Sequence, residues 1–96
     1  MPHALCAAIA ARHLIHFSYA DVPRTVQPHA HGSSEAGDEL LSGYLTAGFG
    51  PSGDTPGWRT FRLDRLADLR ATAQPFTPRP DFDPANPRFA RLHCSV

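Results

Sequence analysis

Hydrophobic residues near the start of the chain follow two different periods. Between residues 3 and 13, Leu5, Ala8 and Ile9 recur at the spacing of one helix face, and alanine and leucine favour helix. Over residues 14–19, apolar and polar positions alternate, which is the period of a half-buried strand. The pattern therefore predicts a short N-terminal helix that is followed directly by a strand.

The rest of the chain carries several short strand signals. Residues 24–27 form a β-branched run, which we expect Pro28 to end because proline cannot donate to a sheet ladder. Residues 29–39 are predicted to be a polar loop, and residues 66–70 fit either a short strand or a helical turn. Alternating strands are predicted at 40–47, 58–63 and 89–96. A short helix followed by four or five short strands predicts a mainly β fold, a small β-barrel.

Length and proline content set the organisation of the chain. With 96 residues, the protein is one small domain and is too short for a doubly wound nucleotide-binding sheet. Glycine and proline make 48–57 a turn-rich connection, and five prolines within 75–88 predict an extended, wrapping segment. We therefore divide the chain into a β-barrel domain over residues 1–76 and a Pro-rich C-terminal extension over residues 77–96.

The charge pattern excludes some functions and allows others. All nine basic residues are arginine, which excludes mechanisms that need a catalytic lysine or a P-loop lysine. Net charge is zero, but residues 34–58 hold four acidic residues and no arginine, whereas residues 59–96 hold seven arginines against four aspartates. A local anion site is therefore possible. No serine has a nucleophile-elbow context, so we predict a protein that is not an enzyme.

The cysteines and the hydropathy of the chain indicate the cellular compartment in which the protein functions. Cys6 and Cys94 can form a bridge only if the two ends of the chain meet, and two cysteines make no disulfide framework. We favour two buried thiols in a cytoplasmic protein. No apolar run reaches the length of a membrane helix, so we expect no membrane partner.

Histidine raises the question of a metal. His29 and His31 offer two ligands from one loop, with His93 or Cys94 as a third, but neither a His-Glu-x-x-His nor a Cys-x-x-Cys motif is present. We expect no metal and no cofactor. We place His29 and His31 in a loop near an anion-binding patch, where they would gain positive charge below about pH 6.5.

A series of short motifs runs through most of the chain in the order Ala8-Ile9, Phe17-Ser18-Tyr19, Arg24-Thr25-Val26-Gln27-Pro28, Gly43-Tyr44-Leu45, Arg59-Thr60-Phe61-Arg62-Leu63-Asp64-Arg65-Leu66 and Phe76. The series resembles the bacterial WYL domain, which is named for a Trp-Tyr-Leu tripeptide. The resemblance covers roughly residues 5–76, and the arginine-rich run 59–66 is its most specific part. Gly43 stands where the family has tryptophan.

The resemblance implies an Sm- or SH3-like barrel that senses ligands, often nucleotides or nucleic acid, in bacterial regulators. It carries over five candidate ligand-binding residues, Arg24, Tyr44, Arg59, Arg62 and Arg65. Guanidinium groups hold phosphate through paired hydrogen bonds, and Tyr44 or Trp58 could stack on a base.

The function expected from the sequence is therefore a non-catalytic, regulatory module that binds a nucleotide or single-stranded nucleic acid. One alternative is a protein-interaction or dimerisation adaptor that exposes strand 40–47 as an edge and binds no small molecule. Another is a metal-dependent regulator that uses His29 and His31.

Overall fold

The computed structural model describes residues 2–47, 56–82 and 88–96. Within these ranges the chain forms a helix, six strands and a short 3₁₀ turn, Leu63–Arg65. The elements in chain order are α1 (Pro2–Ala11), β1 (His13–Tyr19), β2 (Val22–Ser33), β3 (Glu39–Ala47), β4 (Gly57–Arg62), β5 (Leu66–Pro75) and β6 (Arg91–Ser95). Most of the predicted connection 48–57, and positions 83–87 of the predicted wrapping segment, lie outside the described residues.

The six strands form one antiparallel sheet in the order β4-β3-β2-β1-β5, and β6 pairs with the second half of β2. The prediction of a mainly β fold with a short N-terminal helix is confirmed. The prediction of a closed barrel of four or five strands is wrong, because in the described part of the chain β4 and β5 do not pair with each other. The 3₁₀ turn after β4 connects it to β5, which pairs with β1 at the opposite edge of the sheet.

Helix α1 covers one face of the sheet and supplies part of the hydrophobic core. Its predicted apolar face is confirmed, since Leu5, Ala8 and Ile9 are buried. The alternation predicted for 14–19, 40–47 and 58–63 is also confirmed by the buried strand residues, which are Ile15, Phe17, Leu41, Leu45 and Phe61. Burying each large apolar side chain contributes about 1.5–3 kcal/mol, so this face fixes which side of every strand points inward.

Strand β2 is longer than the sequence indicated, and it includes residues 29–33 of the predicted loop 29–39. Its first part pairs with β1 as far as Val26, and its last part pairs with β6 from Ala30 onward. Pro28 lies between these two partners. The ladder on that side is interrupted there, so a residue without an N–H is tolerated. The prediction that Pro28 ends the strand is therefore wrong.

A β-bulge at His29 separates two histidines that the sequence placed together. The pairing of β2 with β3 shifts between Pro28 and Ala30, which leaves His29 as the extra residue. An extra residue reverses the alternation of side chains beyond it. His29 consequently lies on the outward face with Trp58, whereas His31 lies against Cys6 of α1. The prediction that the two side chains share a loop is therefore wrong.

The two ends of the chain meet at a disulfide bond. Cys6 of α1 is bonded to Cys94 of β6, 88 residues further along the chain. The prediction of two free thiols is wrong, because β6 joins the sheet beside β2 and so comes to lie under the helix. Residues 77–96, predicted as an extension, thus contribute a strand to the same sheet.

Within residues 2–47, 56–82 and 88–96, no helix has the length and apolar character that crossing a bilayer requires.

Candidate ligand-binding groove

A groove of about 450 Å³ lies where the segment after β5 crosses the outward face of β3 and β4. We call it the aromatic groove. Its lining residues come from β3, β4 and the C-terminal part of the chain, and they are Ser42, Trp58, Arg59, Thr60, Asp81, Phe82 and Arg88. Since Trp58 and Thr60 alternate with the buried Phe61 along β4, the period of the strand itself presents them to the groove.

Trp58 forms a fixed wall of the aromatic groove. Its indole Nε1 donates a hydrogen bond to Asp81 Oδ2 at 2.8 Å. The ring of Phe82 stacks near it, with centroids 6.0 Å apart and planes 30° from parallel. His29 meets it edge-on at 4.7 Å. These contacts hold the indole in one orientation. A ring that is fixed in this way presents a constant surface for stacking.

His29 connects the segment after β5 to the sheet. Its Nδ1 donates to the carbonyl oxygen of Gln27 at 2.8 Å, and its Nε2 accepts the backbone N–H of Arg79 at 3.0 Å. Desolvation by burial lowers the pKa of His29, and the positive charge of Arg79 lowers it further. The hydrogen bond to the Gln27 carbonyl and the negative charge of Asp81 oppose this shift. The ring is therefore neutral at pH 7, is buried and has both nitrogens engaged, whereas we expected a loop histidine near an anion-binding patch.

Tyr44 lies beside the groove with one face of its ring covered. The guanidinium carbon of Arg79 is 3.3 Å from the Tyr44 ring centroid, and Arg79 Nε donates to Gln27 Oε1 at 2.9 Å. The Trp58 ring meets Tyr44 edge-on at 5.7 Å. One face of the Tyr44 ring, which was predicted to stack on a base, is thus occupied by a cation–π contact with Arg79.

The predicted arginines lie in separate places. Arg59 lines the aromatic groove together with Arg88. Arg24 is buried in a second groove that is lined by β1, β2 and β5, and it donates to the carbonyl oxygen of Tyr19 at 3.3 Å.

The remaining two predicted arginines belong to the end of β4 and to the turn that follows it. Arg62 forms ion pairs with Asp38 at 3.3 Å and Asp64 at 3.0 Å. Arg65 is exposed in the 3₁₀ turn. The structure thus brings only Arg59, of the predicted arginines, into the aromatic groove.

Several residues in or beside the aromatic groove were not found by sequence reasoning. Arg79, Asp81 and Phe82 belong to the extended segment after β5, where no periodic pattern marks a face. A signal was nevertheless present. An arginine flanked by Pro78 and Pro80 is held in an extended backbone, and its long side chain can then cover a neighbouring ring.

A second cluster, formed by His31, Glu39 and His93, lies at the other end of β2. Glu39 Oε1 is 3.1 Å from His31 Nε2 and 3.2 Å from His93 Nε2. Desolvation by burial lowers the pKa of His31, helped by the nearby His93 and opposed by the Glu39 carboxylate. His31 is therefore a neutral, buried ring and does not belong to a surface anion patch.

Comparisons with known proteins give no relative for this chain. No family model matches it, and neither a curated protein nor a solved structure is detectably similar to it. Membership of the WYL family therefore remains a prediction from the motifs, above all from the run 59–66.

Proposed function

We propose that the protein is a non-catalytic binding module that holds a nucleotide, or a nucleotide of a single strand, in the aromatic groove. A single observation carries this proposal: Trp58 and Phe82 line the same groove as Arg59 and Arg88, and the guanidinium Nη1 of Arg59 donates to the carbonyl oxygen of Trp58 at 2.9 Å. The groove thus places aromatic rings next to arginines, the residue types that stack on a base and bind phosphate.

The chemistry of the groove suits a small anionic ligand that has a flat ring. Arginine binds phosphate through a planar fork of donors, and stacking of a base on an aromatic ring contributes about 1–3 kcal/mol. The hydroxyl groups of Ser42 and Thr60 offer neutral hydrogen bonds on the same surface. The volume of about 450 Å³ lies within the usual range for small-molecule sites.

Trp58 makes the proposal directly testable, because it is the only tryptophan in the chain. Adding AMP, ATP or a short oligo-dT strand should quench its fluorescence to saturation at low salt. Binding should weaken as salt is raised, because part of the affinity comes from contacts to phosphate. Absence of quenching by all three ligands at low salt contradicts the proposal.

Matched arginine variants locate the site. Arg59→Ala and Arg88→Ala should each weaken binding by about tenfold, since a charged hydrogen bond contributes about 1.5–3 kcal/mol. Arg65→Ala is the control, because Arg65 lies in the exposed turn outside the groove. Equal losses from Arg65→Ala and Arg59→Ala would point to the arginine set predicted from the sequence and away from the aromatic groove. Thermal unfolding of each variant verifies that it folds.

The alternative of an interaction adaptor depended on strand 40–47 having a free edge. The segment 40–47 belongs to β3, which is paired on both sides, by β2 and by β4, and so offers no free edge. Strands β4 and β5 do lie at the two edges of the sheet. The β5 edge is irregular, because its pairing with β1 shifts register twice and the strand ends at Pro75. Such irregularities are the means by which proteins blunt exposed edges. The geometry therefore favours the ligand-binding module.

The cytoplasmic location stays a prediction from the sequence, and the disulfide weighs against it. Disulfides persist in oxidising compartments and are rare in the cytosol. The Cys6–Cys94 bond is therefore better suited to a protein that functions outside a reducing compartment.

A further inference from the structure

Three neighbouring strands bring together three side chains with the donor atoms that transition metals prefer. His31 is on β2, Glu39 begins β3, and His93 is on β6. The pairing of β6 with β2 shifts between His31 and Gly32, which makes His93 the extra residue of a second bulge. Bulges of this kind redirect a side chain. Here the imidazole of His93 is directed toward the carboxylate of Glu39.

The spacing of the donor atoms fits a single metal ion. Around Zn²⁺, nitrogen and oxygen ligands lie at about 2.0–2.2 Å, so neighbouring donors of a tetrahedron are roughly 3.3 Å apart. Glu39 Oε1 lies 3.1 Å from His31 Nε2 and 3.2 Å from His93 Nε2, and all three atoms lie within 4.8 Å of one another. We propose that His31, Glu39 and His93 bind a divalent transition metal ion, for which Zn²⁺ is the probe.

The surroundings of His31 orient it for this role. Its ring is buried, and Nδ1 lies 3.7 Å from Cys6 Sγ of the disulfide, so Nε2 is the nitrogen directed toward Glu39. Ligating histidines are commonly fixed by a contact of the second ring nitrogen in this way. Cys6, Cys94 and His31 also lie within metal-binding distance of one another, but both sulfurs are used in the disulfide.

The metal site opens toward a groove that has both acidic and apolar walls. This cavity of about 440 Å³ is lined by His31 and Glu39, by three aspartates and by three leucines, which are Asp38, Asp64, Asp68, Leu63, Leu66 and Leu69. Arg62 neutralises part of this charge through its ion pairs with Asp38 and Asp64. The remaining carboxylates raise the local concentration of cations, and two imidazoles with one carboxylate select a transition metal over Mg²⁺.

The test is a Zn²⁺ titration of the protein with its disulfide intact. Protein freed of metal by EDTA competes for Zn²⁺ with a chromogenic chelator, without reductant, and Mg²⁺ serves as the oxygen-preferring control. We expect one Zn²⁺ per chain, no competition by Mg²⁺, and a visible spectrum of tetrahedral type when Co²⁺ replaces Zn²⁺.

Two variants and a control decide where the metal binds. His93→Ala and Glu39→Gln should each weaken Zn²⁺ binding by about 100-fold or more, because removing even an outer contact of a metal site costs about 10–100-fold. Both residues are partly exposed, so the variants should fold. His16→Ala should bind Zn²⁺ as the wild type does, since His16 is exposed on β1 and its Nδ1 is hydrogen-bonded to the Thr25 hydroxyl.

Three outcomes would overturn the assignment of this site. They are a wild-type protein that binds no Zn²⁺, variants with unchanged affinity, and binding that appears only after the disulfide is reduced. The last result would assign the metal to Cys6, Cys94 and His31 instead.

Discussion

Position 43 in the middle of β3 has no room for a side chain. Gly43 pairs with Pro28, next to the bulge of β2. A Cβ atom there would lie 2.5 Å from Val26 Cγ1 and 2.9 Å from the carbonyl oxygen of Gln27. The second of these is a backbone atom and can move only if β2 and β3 separate. A glycine is therefore required at this position by the close approach of the two strands.

Replacing Gly43 by alanine should destabilise the protein by about 1–3 kcal/mol, the usual range for adding atoms to a tightly packed site. Urea unfolding measures the change. Gly57→Ala is the matched control, because the nearest atom to its new Cβ would be the flexible end of the Arg59 side chain, at 3.0 Å. Equal stability of the Gly43→Ala protein and the wild type would show that β2 and β3 are less closely apposed at this point.

The same crowding bears on the predicted resemblance to the WYL domain, in which Gly43 stands at the position of the family's tryptophan. The bulge at His29 brings the backbone of β2 against this position and leaves no room for such a side chain. The bulge itself could not be predicted. A proline followed by His29 and His31 is typical of a loop, and only the pairing with β3 and β6 turns this segment into a strand.

Among the elements, those with a strong period were predictable from the sequence and the irregular ones were not. The alternation in β1, β3 and β4 and the apolar face of α1 identify buried residues correctly, because burial dominates their placement. The segment 76–82 has no such period. It is positioned by individual contacts, such as the backbone bond from Arg79 to His29, and the sequence does not reveal which residues make them.

The anchoring of this segment by His29 should depend on pH. A proton on Nε2 would break the bond accepted from the Arg79 N–H. Because burial lowers the pKa of His29 below its ordinary value of 6.5, the unfolded chain takes up a proton before the folded one does. Stability should therefore be constant above about pH 7 and fall as the pH drops below about 6.5, until the folded ring is itself protonated.

Thermal unfolding between pH 8 and pH 5 measures this loss, and Trp58 fluorescence reports on the detachment of the segment because the indole contacts both His29 and Phe82. His29→Gln should weaken the pH dependence of stability below pH 6.5. The dependence that remains should come from His31, because burial also lowers the pKa of His31. A His29→Gln protein with the full wild-type slope would contradict the anchoring role.

Across the whole molecule, one covalent bond connects the two ends of the chain. β4 and β5 do not close the sheet, and β6 reaches β2 only after the long C-terminal segment. The Cys6–Cys94 bond spans 88 residues, and a link over that length removes much of the freedom of the unfolded chain. The chain-entropy treatment gives a stabilisation of about 4–5 kcal/mol for a loop of this size, and measured losses are commonly about 2–5 kcal/mol.

The Cys6→Ala, Cys94→Ala double variant should therefore unfold at a lower urea concentration than the wild type, by an amount equivalent to about 2–5 kcal/mol. Small domains have only about 5–15 kcal/mol of total stability, so this is a large share. Adding a thiol reductant should lower the wild-type midpoint toward that of the double variant. The double variant, which has no disulfide to reduce, should not respond. A wild-type midpoint that stays the same under reducing conditions would mean that the contacts of α1 and β6 with the sheet hold the ends together unaided, and that the disulfide adds nothing to stability.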